Sequence, residues 1–298
     1  MTADDPIPSG GADDLPRVAI AGTEVHTMHS RAIGRELRVW VARPLPPYWQ
    51  RPPEPAQLVC VLDADLFFGT VVETTRLMYQ LFGELPPTLV VGVAYPTEDR
   101  RVQGELRARD FTPSQDPALA FPGGSPPQSG EPVLPEGQRT GGAEAFARFL
   151  REEMLPFVHA RHEVAQQGRT LIGSSMGGLF ASWFLFAEPS AFDRYVIASP
   201  ALWWEGAKIF DRESAFRDQH EDFAARVFFA VGSGEESPEI PMLAPFRMIS
   251  NARELAARLQ SRSYPSLAVE CRVFEGETHT SVVPVAITHG LRYAYRRK

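Results

Sequence analysis

Apolar residues along this chain take two forms, short unbroken runs and stretches with helical spacing, and the two alternate. The segment 267–274 reads as the last strand, and Gln57-Leu58-Val59-Cys60-Val61-Leu62, the segment 88–93, Tyr195-Val196-Ile197-Ala198 and the segment 226–231 are near-continuous runs. That pattern belongs to parallel strands covered on both faces. The run 169–172 reads as the end of another such strand. Ahead of them, residues 24–43 are strand-like around a turn near Ile33-Gly34, and Leu37-Arg38-Val39-Trp40-Val41 alternates polar with apolar, as a half-buried antiparallel strand does. Helical spacing marks 70–82, 178–186, 204–215, 243–262, the segment after His279, and above all 143–161, where Phe146, Phe149, Leu150, Met154 and Phe157 share one face. A hairpin followed by strands that alternate with helices predicts an α/β fold, with a mostly parallel central sheet, an antiparallel N-terminal edge and helices on both faces.

The periodicity fails in three places. Residues 1–17 are acidic and rich in Pro and Gly, and read as a disordered tail. Residues 44–55 form a proline-rich connection. Residues 97–142, with Pro122-Gly123-Gly124-Ser125-Pro126-Pro127, hold neither period, and read as an insertion whose first part rims the site and whose middle is mobile, with room for a lid. No repeat or internal boundary is visible, so the expectation is one domain over 18–298.

Composition narrows the function classes. Of 298 residues, 44% are hydrophobic and 22% charged, which is an ordinary globular mix with ample material for a core. The formal net charge of -7 lacks the basic footprint of a nucleic-acid binder. No apolar run reaches the length of a membrane span. The N-terminus has neither the basic start nor the apolar stretch of a secretory signal. The two cysteines, Cys60 and Cys271, lie in apolar strand-like runs and read as buried thiols rather than a disulfide or metal pair. Together these point to the cytoplasm.

The chemistry centres on Leu171-Ile172-Gly173-Ser174-Ser175-Met176-Gly177-Gly178. A strand that turns at once into a helix needs a tight corner, and glycines two residues either side of Ser175 remove the Cβ atoms that would clash there. Ser174 has Ile172 and Met176 at those offsets and is the weaker candidate. A serine nucleophile needs a base, and the base a third group to orient it, in the chain order serine, acid, histidine. Of seven histidines, only His279 lies just beyond the last strand, in Phe274-Glu275-Gly276-Glu277-Thr278-His279, while His289 falls in the closing helix. The acid belongs after the strand 227–231, where Glu235 is preferred over its neighbour Glu236. Two backbone N–H groups would receive the oxyanion, that of Met176 and one from Asp63-Ala64-Asp65, for which Asp65 is chosen. A metal at the Asp63/Asp65 pair or at His159 and His162 lacks companion ligands. No cofactor is called for.

Several stretches together resemble a known family: Val25-His26-Thr27-Met28-His29-Ser30, Val61-Leu62-Asp63, Val91-Gly92-Val93-Ala94-Tyr95-Pro96, Arg107-Ala108-Arg109-Asp110-Phe111-Thr112-Pro113, residues 173–178, Ala198-Ser199-Pro200-Ala201-Leu202-Trp203-Trp204, and Thr278-His279-Thr280-Ser281-Val282-Val283-Pro284. They resemble the putative esterase family of α/β-hydrolases, closest to its ferric-siderophore branch of enterobactin- and salmochelin-type esterases. The resemblance runs from about Val25 to Tyr295. It implies the α/β-hydrolase fold and an ester hydrolase with Ser175 as nucleophile and His279 as base, and it suggests Arg107 near the substrate mouth and Trp203 or Trp204 at its rim. Two departures stand out: many relatives carry Asp-Gly where this chain has Asp63-Ala64, and Gly232-Ser233-Gly234-Glu235 matches only approximately. Taken by themselves, the tryptophans could equally plug the core, and Arg107 or Arg109 could hold the loop by pairing with Asp110.

The resulting expectation is a serine carboxylic ester hydrolase working through an acyl-enzyme on a small-molecule ester, with a ferric-siderophore trilactone as first candidate substrate. Small or aryl esters of feruloyl or acetyl type, or acyl transfer, are the alternatives. A catalytically silent hydrolase-fold binding protein is the reading from another class. No nucleic-acid or membrane partner is expected.

Overall fold

The computed structural model describes residues 19–50, 52–115, 134–238 and 241–296. The expected tail over 1–17 and the middle of the 97–142 insertion lie outside the described residues. In chain order the strands are β1 (Thr23–Ser30), β2 (Arg35–Ala42), β3 (Gln57–Val61), β4 (Thr88–Ala94), β5 (Thr170–Ser174), β6 (Arg194–Ala198), β7 (Ala225–Gly232) and β8 (Leu267–Phe274). The helices are α1 (Ala64–Gln80), α2 (Arg100–Phe111), α3 (Ala143–Arg148), α4 (Leu155–Arg161), α5 (Met176–Ala187), α6 (Trp204–Ala207), α7 (Ile209–Arg217), α8 (Met248–Ser261) and α9 (Val282–Tyr295).

The strands form one eight-stranded sheet in the order β1-β2-β4-β3-β5-β6-β7-β8. The β1/β2 and β2/β4 pairs are antiparallel and all others parallel. This is the expected antiparallel edge on a parallel sheet, in the arrangement of an α/β-hydrolase. The unbroken apolar runs have the predicted cause: every residue of β4 and β5 is buried. α1 and α9 cover one face through Val71, Val72, Ala286 and Ile287. α2 to α5, α7 and α8 cover the other. There Phe180 of α5 meets Phe111 of α2 and Phe146 of α3, with ring centroids 5.8 and 5.1 Å apart. Each fully buried phenylalanine contributes about 1.5–3 kcal/mol, so the helix behind Ser175 is clamped by its own layer.

The structure departs from the expected elements where chain chemistry hides or breaks a period. Helix α2 lies in the segment expected to be irregular. Its buried positions are Glu105, Leu106, Asp110 and Phe111, and two carboxylates among four erase the hydrophobic signal. They are tolerated because Asp110 pairs with Arg35 and accepts from the Tyr95 hydroxyl (3.1 Å), while Glu105 accepts the Leu134 N–H (3.0 Å). The helix expected over 143–161 is continuous but widens to a π-helix at Phe149–Met154, just before Pro156, which cannot supply the regular backbone bond. The helix expected over 204–215 divides at Glu205 and Gly206, which have positive φ. Residues Pro241–Phe246 form a 3-10 segment containing Pro245, so α8 starts only at Met248.

Candidate active site

Three neighbouring parallel strands end in left-handed turns along one edge of the sheet. Asp63 follows β3 with φ 54°, Ser175 follows β5 with φ 57°, and Ser199 follows β6 with φ 40°. Such conformations cost a non-glycine residue on the order of 1–3 kcal/mol and concentrate at functional sites. Ser175 also has ψ -117° and stands between strand and helix, as the elbow pattern predicts. The glycine at 173 is required by close approach: a Cβ there would lie 2.3 Å from the Gly177 carbonyl oxygen. The Ser175 N–H donates to the Ala198 carbonyl (3.0 Å), and its own carbonyl accepts from Leu179 (2.9 Å) and Ala201 (3.0 Å).

Glu235 and His279 meet across two loops. His279 lies between β8 and α9, and its Nδ1 is 2.7 Å from Glu235 Oε2. Glu235 is 1% exposed, on a single 3-10 turn (Ser233–Glu236) directly after β7. The approach depends on Gly232, where a Cβ would meet the Glu277 carbonyl oxygen at 2.3 Å. Gly234 N–H donates to that same carbonyl at 3.0 Å, fastening the two loops. The neighbouring acid faces elsewhere: Glu236 accepts the N–H and the hydroxyl of Ser250, both at 2.7 Å, in the first turn of α8.

Ser175, Glu235 and His279 line one cavity of about 190 Å³, closed by Trp203, Leu243, Phe246 and Met248. Trp203 and Phe246 meet edge to face, with centroids 5.1 Å apart. The structure thus separates the tryptophan pair. Trp204 is buried, donates Nε1–H to Ser114 Oγ (3.2 Å) and lines a different cavity of about 320 Å³ with Trp183 and Lys208.

The other expected residues stand around the elbow. Met176 opens α5, where the first N–H groups have no partner within the helix. Asp65 opens α1 one residue later than Ala64. Its carboxylate accepts the Tyr95 N–H and Gln103 Nε2, both at 3.3 Å, and burial pushes its carboxyl up against the opposing pull of that N–H. Asp63 faces Arg107 instead, so the two acids do not converge. Arg107 Nε lies 2.6 Å from Asp63 Oδ1, and its second nitrogen donates to Asp63 Oδ2 (3.0 Å) and to the Ser174 carbonyl (3.2 Å). Burial works against the guanidinium charge, yet the Asp63 carboxylate outweighs it and raises the Arg107 pKa. The pairing open in sequence for Arg107 and Asp110 is therefore resolved into separate pairs, Arg107 with Asp63 and Arg35 with Asp110. His162 and His26 both approach Glu24, at 3.3 and 3.4 Å, and no group of three or more His, Cys, Asp or Glu among the described residues could hold a metal ion.

Sequence reasoning missed Ser199, whose hydroxyl donates to Glu235 Oε1 at 2.6 Å, and the walls Leu243, Phe246 and Met248. The signal for Ser199 was present, a serine at the end of a strand beside the elbow, but nothing in the pattern says where its side chain points.

The family profile described as "Putative esterase" matches residues 125–281. The chain is 31% identical over 286 residues to the "Ferri-bacillibactin esterase BesA" of Bacillus subtilis, covering 92% of this chain and 90% of that protein. It is 30% identical to the "Siderophore enterobactin esterase" of Emericella nidulans, over 80% of this chain and 82% of that one. The crystal structure of the BES protein from Bacillus cereus superposes with a TM-score of 0.75 at 29% identity, covering 95% of this chain and 100% of that chain.

Proposed function

Since the chain belongs to the putative esterase family, within its siderophore-esterase branch, we propose that this esterase hydrolyses the ester bonds of a siderophore through a serine acyl-enzyme. The observation that carries the mechanism is the Glu235–His279 contact of 2.7 Å in the cavity that Ser175 also lines. With an Nδ1–H donating to Glu235, the His279 Nε2 is left unprotonated and able to accept. Ser175 Oγ attacks the ester carbonyl and His279 takes its proton. The imidazolium that results faces the buried Glu235 carboxylate. The N–H groups of Met176 and Asp65 receive the oxyanion of the tetrahedral intermediate, with the N-terminal end of α5 adding a favourable dipole. Collapse expels the alcohol, protonated by His279. Water, activated by the same base, then releases the acid and regenerates Ser175. Arg107 and Trp203 complete the surroundings, Arg107 from beneath the elbow and Trp203 as a cavity wall.

A ferric catecholate trilactone is the first substrate, by likeness to relatives whose names carry ferri-bacillibactin and enterobactin. The mostly apolar walls and small volume beside Ser175 support a second reading, esters of small or aryl acids. The test is hydrolysis of a panel of p-nitrophenyl esters beside a ferric catecholate trilactone, by wild type and Ser175→Ala. The mechanism predicts that Ser175→Ala loses roughly 10³-fold or more in kcat. Preference for the trilactone supports the siderophore assignment, and turnover of short esters alone transfers it to the second reading. Turnover that survives Ser175→Ala overturns the serine mechanism.

A further inference from the structure

We propose that Ser199 is a positioning residue for this reaction, holding the Glu235 carboxylate and the Ser175 peptide in one register. The inference rests on Ser175, His279 and Glu235 acting as proposed above.

Glu235 carries its two oxygens to different partners. Oε2 faces His279, while Oε1 accepts the Ser199 hydroxyl at 2.6 Å and the Gly232 N–H at 2.7 Å. A carboxylate held through one oxygen can turn about its terminal bond. Two donors converging on Oε1 fix its plane, and with it the direction in which Oε2 meets the imidazole. Ser199 is fully buried, so it is the side chain and not solvent that fills this place.

The backbone of the same turn grips the nucleophile. Ala198 accepts the Ser175 N–H, and Ala201 donates to the Ser175 carbonyl, both at 3.0 Å. Ser199 itself donates its N–H to Ala230 of β7 at 2.7 Å, the strand from which the Glu235 turn springs. One four-residue turn therefore contacts the nucleophile's peptide on both sides and the acid through a side chain.

The residue type supports the same reading. At φ 40° a glycine would be relaxed and an asparagine tolerated, whereas a serine is strained. What serine supplies and glycine lacks is the hydroxyl on Glu235.

The experiment measures kcat and KM with a p-nitrophenyl ester that the wild type turns over, for Ser199→Ala, Ser199→Gly, Glu235→Gln and the double variant Ser199→Ala/Glu235→Gln, each checked by thermal melting. Ser199→Gly removes the hydroxyl while relieving the backbone, so it carries the test if Ser199→Ala does not fold. The expected result is a fall in kcat of about tenfold in both Ser199 variants with KM within about twofold, and less than about twofold further loss when Ser199→Ala is added to Glu235→Gln. An unchanged kcat, a loss confined to KM, or the same fractional loss in the Glu235→Gln background overturns the inference and leaves the triad standing. Full activity in Glu235→Gln overturns the triad and the inference together.

Discussion

Arg107 clasps Asp63 with a two-pronged ion pair, Nε to Oδ1 at 2.6 Å and the terminal nitrogen to Oδ2 at 3.0 Å, and spends a further hydrogen bond on the Ser174 carbonyl. The guanidinium thus bridges the start of α1 and the last residue before Ser175. Asp63 is only 4% exposed, so Arg107 is the partner that offsets its burial. Arg107→Ala is expected to lower stability by about 3–5 kcal/mol, because it strands a buried carboxylate. Arg107→Lys keeps the charge but loses the fork, and is expected to fall between. Urea unfolding of both variants checks this. A variant as stable as wild type with only KM raised would place Arg107 against substrate instead.

The two neighbouring glutamates are expected to fail in different ways. Glu236 accepts two hydrogen bonds from Ser250 at the start of α8, so Glu236→Ala is expected to lower stability by about 0.5–2 kcal/mol, as the loss of a helix cap does, with kcat close to wild type. Thermal melting and turnover measured side by side separate it from Glu235, whose replacement is expected to lower kcat. Equal activity losses at both positions would contradict the division.

The edge-to-face pair of Trp203 and Phe246 closes a cavity of about 190 Å³. Truncating either ring to alanine opens the space beside Ser175. Relative kcat/KM across p-nitrophenyl esters of increasing acyl length is expected to shift towards longer chains, by about tenfold for a ring-sized opening. Trp204→Phe, behind that wall, is expected to leave the ranking of substrates as it is. A shift from Trp204→Phe and none from Trp203→Ala would move the specificity wall to the larger cavity.

Both thiols are held neutral. Burial pushes Cys60 up to about 12 and Cys271 up to about 11. Since the thiolate is the reactive form, iodoacetamide at pH 8 is expected to label neither rapidly in the native protein and both after denaturation, with activity unaffected in the native sample. Mass spectrometry reads the result. The cysteines are free, and they sit on β3 and β8, four strand spacings apart in the sheet. At about 4.8 Å per spacing that is about 19 Å, beyond the reach of a disulfide. Fast native labelling with loss of activity would show a thiol exposed near the site.

How much was legible in the sequence follows from which forces leave a periodic trace. The parallel strands did, because burial on both faces demands unbroken apolar runs such as Leu58 to Leu62. The elbow did, because close approach at Gly173 excludes a Cβ. His279 and Glu235 were placed by chain order alone, and the structure brings them together at 2.7 Å. Helix α2 left no trace, since Asp110 and Glu105 occupy inward positions that only tertiary partners make tolerable. Trp203 and Trp204 could not be told apart because adjacent residues of one type carry no mark of which ring faces which cavity. The apolar spacing extends a helix over Leu243 and Phe246, although Pro245 marks a break. Ser199 stayed hidden because one left-handed residue changes direction without changing composition.

The row of left-handed residues at Asp63, Ser175 and Ser199 has a consequence for how this protein can be improved. Glycine at Ser175 or Ser199 would relax the backbone, so a screen for heat resistance is expected to be drawn to this edge of the sheet, whereas at Asp63 it would break the Arg107 clasp. Those two serine positions carry the Ser175 hydroxyl and the hydroxyl that meets Glu235. Robustness gained there would come out of turnover, whereas robustness gained at the far ends of the same strands would carry no such penalty. An engineer wanting a tougher catalyst should therefore leave this edge strained and reinforce the rest.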